Sequence, residues 1–143
     1  MIFLTKAIIL DRISETDLNV LTEGVDAALD SPEVDAIQEV SSYLNYRYDT
    51  ALIFAPDQDE TDKIPIIRRI TTDVLLYNLH SKVNPRNVPE KRIQLRDDAI
   101  SWLKMVADPR SEVSADFLPK KQTEENRGVD ISWGSKPKRN NTY

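Results

Sequence analysis

The sequence predicts an all-α fold: a small bundle of four to five helices with an extended, partly disordered C-terminal tail. Three observations predict it. Residues 64–81 repeat apolar side chains at Ile66, Ile70, Val74 and Tyr77, the spacing of one helix face. Only 3 of 143 residues are glycine, while leucine and isoleucine are abundant, a composition that favours helices. Helix-start signals such as Ser31-Pro32-Glu33 punctuate the chain.

The length fits one helical domain, placed at 1–107, and an appendage at 108–143. With no cysteine there is no disulfide framework, thiolate metal site or cysteine nucleophile. No apolar run approaches the roughly 20 residues that cross a bilayer. The opening MIFLTKAIIL is interrupted by Thr5 and Lys6, so it reads as neither anchor nor signal peptide, and a cytosolic chain is expected.

Residues 2–13 carry apolar side chains at Ile2, Leu4, Ile8, Ile9 and Ile13, which fits a short helix, with a strand as the alternative. Ser14 and Asp17 form an S-x-x-D start for a helix from Glu15 to about Leu21, which Gly24 ends. At Ser31-Pro32-Glu33 the serine caps, the proline takes the first helical position and the acid favours the positive end of the dipole. A helix from 32 to about 47 follows, with Val34, Ile37, Val40, Ser41, Leu44 and Tyr48 on one face.

Residues 49–63 read as a loop. Its acidic run at 57–62 lacks the spacing and the glycine of a calcium-binding loop, so a solvated acidic loop is expected. In the central helix, Leu75, Leu76 and Leu79 lie off the main stripe, so its second half is apolar nearly all round. Such a helix is buried on more than one side. Those leucines exceed what one core face needs and are candidates for a subunit interface, together with Arg92 and Arg96. Asp73 sits at the rim of the stripe and needs a partner. Arg69 is the local candidate, and Arg47, at the end of the preceding helix, the non-local one. The lone histidine, His80, stands near a helix C-terminus with no second ligand for a metal.

Pro85 breaks the chain, Asn87 offers a cap, and a last helix spans 89–107. Val88, Leu95, Ala99, Trp102, Leu103 and Val106 form its stripe, with Trp102 as the largest core candidate. Arg86, Lys91, Arg92 and Arg96 make a basic stripe that is either a solvated face, a subunit contact or a surface for passing DNA. The tail is polar except at Phe117-Leu118 and 131–133. Trp133 followed by Lys136, Lys138 and Arg139 reads as an aromatic anchor with a basic flank, fitted to a partner.

The net charge of −5 conceals a gradient. Residues 1–62 hold 3 basic and 14 acidic side chains, 63–107 hold 9 and 4, and 108–143 hold 7 and 6. Either the two halves attract within one chain, or the acidic face of one copy meets the basic face of the next.

Three stretches taken together, SSYLNYRY at 41–48, IPIIRRITTDVLLYNLH at 64–80 and RDDAISWLKMVAD at 96–108, resemble a family of Mu-like phage and prophage proteins encoded among head and tail genes. The resemblance rests on Ser42-Tyr43-Leu44, Arg47-Tyr48, Pro65, Asp73, Tyr77, Leu79, Ala99, Ile100, Trp102 and Leu103, and on the terminal WGSKPKRNN. It implies a head–tail connector, a ring subunit docking between portal protein and tail in the virion, made in the bacterial host cytoplasm. Its partners would be the portal protein, a tail-side neck protein and further copies of itself, with non-specific contact to passing DNA and none to membrane. A tail-completion protein contacting the tail tube is the alternative, followed by a small DNA-binding regulator. The resemblance brings no cofactor and no catalysis. The residues agree, because no phosphate-binding glycine loop or nucleophile–base signature is present.

Overall fold

The structure, a computed structural model, describes residues 1–113 and 115–122. Its helices are α1 (Lys6–Leu10), α2 (Glu15–Thr22), α3 (Asp30–Leu44), α4 (Thr50–Ile53), α5 (Pro65–Val83) and α6 (Glu90–Ala107), with a 3-10 turn at Asp26–Leu29 before α3. The one β-type pairing among the described residues is an isolated bridge between Tyr48 and Lys120. The all-α expectation holds. The count exceeds it because the expected loop at 49–63 contains α4, which Asp49 caps by accepting from the Leu52 N–H.

The core gathers around α5. From Ile70 to Leu76 every residue is buried, including Thr71, Thr72 and Asp73. A helix can be buried all round only if several neighbours surround it, and α5 packs against α1, α2, α3 and α6. Thr72 stays satisfied by donating to the Arg68 carbonyl one turn back. The short connection at 84–89 folds α6 back on α5 as a helical hairpin.

Several local signals act as the sequence predicts. Ser14 accepts from the Asp17 N–H and starts α2. The helix ends through Glu23 and Gly24, both at positive φ, with the Gly24 N–H on the Asn19 carbonyl. Others differ. Ser31 does not cap α3, because Leu29 is already helical and the 3-10 turn runs straight into the helix at Asp30. Pro32 still falls in the first turn, where its missing N–H costs nothing. The helix closes at Leu44, not 47, yet Tyr48 is buried and its hydroxyl donates to the Val106 carbonyl. Asn87 does not cap α6, which begins after Pro89 without a side-chain cap.

The first residues form the short helix of the first reading over only part of their length, and the alternative strand does not form. Thr5 starts the single turn α1, while Ile2, Phe3 and Leu4 run as a strap outside it. The Ile2, Phe3 and Leu4 N–H groups all donate to the Glu33 carboxylate at 2.6–2.9 Å. On the other side, the Lys63 Nζ donates to the Phe3 carbonyl at 2.7 Å. Both charged side chains are buried. Phe3 itself is fully buried, edge-on to Phe54 with ring centroids 4.8 Å apart.

The boundary drawn at residue 107 also moves. Ala115 and Leu118 are buried, the Asp49 N–H donates to the Pro119 carbonyl, and the Lys121 N–H donates to the Arg47 carbonyl. Leu118 therefore belongs to the core, while Phe117 beside it is exposed. Trp102 is half-buried against the core rather than at its centre.

Candidate interaction surfaces

The carboxylate of Asp73 finds neither of its expected partners. Arg12, from the end of α1, takes both of its oxygens, with Nη2 at 2.8 Å from each and Nε at 3.0 Å from one. Arg47 instead reaches the carbonyls of Val106 and Asp108 at the end of α6. Free carbonyls at a helix C-terminus attract a cation, which explains why Arg47 is unavailable to Asp73. Burial pushes the Asp73 carboxyl above the usual range, and the Arg12 hydrogen bond and charge pull against that shift.

The expected interface residues on α5 are also assigned otherwise. Leu75 and Leu76 are fully buried and Leu79 nearly so, all within this chain. They are apolar all round because α5 has neighbours all round, and they present nothing to another subunit. Arg96 joins α6 to α3 through an ion pair with Glu39 and lies over the Tyr77 ring, 4.9 Å from its centroid. Arg92 donates to the Arg12 carbonyl. The basic stripe is thus divided: Arg92 and Arg96 hold the bundle together, while Arg86 and Lys91 face solvent. Trp133, Lys136, Lys138 and Arg139 lie outside the described residues.

Two surface depressions bear on these side chains. One, of about 260 Å³, lies between α5 and α6 and is lined by Arg12, Arg69, Asp73, Asp98 and Trp102. The other, of about 460 Å³, opens where α2, the end of α5 and the start of α6 meet. Ile13, Val20, Leu21, Val83 and Pro89 supply its apolar lining. Val20 and Val83 are 69% and 48% exposed, so this lining is open to solvent. His80 stands in its wall, and burial, with the nearby Arg92 charge, holds its pKa below the usual value against a smaller opposing pull from Asp17. An apolar cleft of this kind is a place to seat another chain's side chains.

Among the described residues no group of three or more His, Asp or Glu side chains is placed to hold a metal. No helix there is long and apolar enough to cross a membrane. The acidic loop stays solvated, apart from Glu60, which pairs with Lys63 and Arg68. The residues that sequence reasoning missed are Arg12, Glu33 and Lys63, all of which act across 29 or more residues of chain.

The architecture and its surfaces define a small all-α domain with an open apolar cleft. A family model described as Bacteriophage Mu, Gp36 matches residues 3–131, and the chain belongs to that family of phage proteins. No curated protein and no solved structure matches it.

Proposed function

We propose that this chain is a virion structural protein of the head–tail junction, a connector subunit that forms a ring between portal and tail. The observation that carries this reading is the match to a Mu phage family from residue 3 to residue 131, through the whole described bundle. An apolar cleft open to solvent supports it, since a subunit that assembles needs an unpartnered surface. The chain works by binding and carries out no catalysis. It is made in the host cytoplasm and ends in the virion.

The test uses a Mu-like phage deprived of this chain. Capsids should fill with DNA yet remain without tails, and adding the purified chain should restore tail joining. Labelled chain should sediment with portal-bearing heads and be absent from free tails. Binding to tail tubes and not to portals would replace this reading with a tail-completion role. Binding to free DNA with an affinity that collapses as salt rises would favour the regulatory alternative.

A further inference from the structure

The helix α5 separates two surfaces of opposite character. With 19 residues it is about 28 Å long at 1.5 Å per residue. Just before it lies the acidic loop, with Asp57, Asp59 and Asp62 exposed. Leu52, on α4, is 55% exposed beside that loop, and Gln58 binds the Leu52 carbonyl to it. Just beyond the other end of α5 lies the 460 Å³ apolar cleft. Lys91 lines that cleft, Lys82 lines an adjoining depression that shares Leu21 and Val83 with it, and Arg86 stands on the turn between the two lysines. No ion pair within the described residues engages Asp57, Asp59, Asp62, Lys82, Arg86 or Lys91.

We infer that the cleft at the end of α5 receives the α4 and acidic-loop region of a second copy of this chain, Leu52 entering between Val20 and Val83 while the carboxylates face the lysines. The inference deepens the ring reading above and rests on it for its biological setting. Its argument is complementarity at opposite ends of one rigid element. An apolar side chain flanked by carboxylates at one end matches an apolar cleft flanked by ammonium groups at the other. Both ends are left over once the intramolecular bonds are made. Because the two surfaces differ and lie apart, each copy offers both, and the contact is head-to-tail. Such contacts propagate and close into a ring when the rotation per subunit permits.

The match has a direction. Asp17 and Glu23 stand on the α2 side of the same region and repel a carboxylate. The incoming loop is therefore set toward the α5–α6 side, where Lys82 and Lys91 stand. Such charges fix register and exclude wrong dockings more than they add affinity.

The absence of cysteine makes the test clean. Leu52→Cys and Val83→Cys are made in separate full-length chains, mixed at high concentration and oxidised mildly. Both positions are half exposed, so folding should survive, and Val20→Cys provides a second cleft position. The mixture should give a cross-linked dimer well above either variant alone and above Leu52→Cys mixed with Ala7→Cys, an exposed position on α1. Adding Lys82→Glu and Lys91→Glu to the cleft partner should lower the yield about tenfold. Adding Asp57→Lys and Asp59→Lys to the loop partner should then restore it. No excess over the control with either cleft cysteine overturns the inference, and so does a yield indifferent to charge. A cleft cysteine that traps Trp133→Cys and not Leu52→Cys overturns it in favour of the C-terminal segment as occupant. Head binding is read separately. A chain that cross-links to itself but ignores portals keeps this contact and removes the connector reading, and a chain that binds portals without the cross-link does the reverse.

Discussion

The N-terminal strap and the α5–α6 hairpin sit in the same core but are held by different bonds. The hairpin is held by side chains meeting side chains: Ile70, Val74 and Leu76 on one helix and Ala99, Leu103 and Val106 on the other are all buried. Away from the helix ends, its backbone groups are satisfied within each helix. The strap has no such internal pairing at Ile2, Phe3 and Leu4. It borrows acceptors and donors from Glu33 and Lys63, two charged groups that would be costly to bury alone. The hairpin thus depends on many weak, redundant contacts, whereas the strap, though Phe3 and Leu4 are also buried, depends for its backbone groups on two polar side chains.

The largest effect should come from the hairpin. Leu76→Ala opens a cavity in a fully enclosed position and should cost about 3–5 kcal/mol. Glu33→Ala strips the acceptor from the buried N–H groups of Phe3 and Leu4 and should cost about 2–4 kcal/mol. Amide exchange separates the two mechanisms. Leu76→Ala should raise exchange throughout the bundle, whereas Glu33→Ala should raise it first at Phe3 and Leu4. Uniform exchange in both variants would erase the distinction and make the strap an ordinary part of the core.

A third region sharpens the comparison, because residues 115–121 share features of both. Leu118 packs as hairpin residues do, while the backbone pairs with Arg47 and Asp49 as the strap pairs with side chains. A chain ended after residue 122 is the reference for this segment. Ending it at 113 should cost about 1.5–3 kcal/mol, the burial of one leucine side chain. Equal melting temperatures for the two truncations would show that Leu118 contributes nothing and that the domain ends at α6.

The same contrast explains what could be read in the sequence. Periodicity placed α5 and α6 within two residues of their ends, because apolar spacing and helix geometry are local facts. It also showed α5 to be apolar on more than one face. It could not tell whether the surplus, Leu75, Leu76 and Leu79, met this chain or another, since periodicity reports burial and not the identity of the neighbour. Polar contacts were the least legible. Arg12, Arg47 and Arg69 were chemically equal partners for Asp73, and only the fold brings Arg12 across 61 residues to it. Glu33 had a complete local explanation at a helix start, which hid its long-range one. The cleft escaped notice because Val20 and Val83 stand outside the apolar stripes that mark a core.

His80 offers the smallest effect and the most specific one, since it belongs to the hairpin and also lines the cleft. Burial holds its pKa below the ordinary value, with Arg92 adding and Asp17 opposing. The unfolded chain therefore binds a proton more readily than the folded chain. Between the lowered pKa and the ordinary value of about 6.5, the unfolded state carries more protons, so stability falls as pH falls through that window. Melting temperature should decline on acidification below about pH 6.5, and His80→Gln should flatten that decline. The buried carboxyl of Asp73 cannot imitate it, because a raised acid pKa makes the folded state the better proton acceptor and gives the opposite slope. An equal decline in His80→Gln would assign the effect to another group. The cleft adds a second reading of the same curve. If a neighbouring copy covers it, His80 loses solvent while the incoming carboxylates favour its charge, so the acid slope of the assembled state should differ from that of the isolated chain. A slope identical in both would leave His80 outside the contact and confine any covering of the cleft to its valine-lined half.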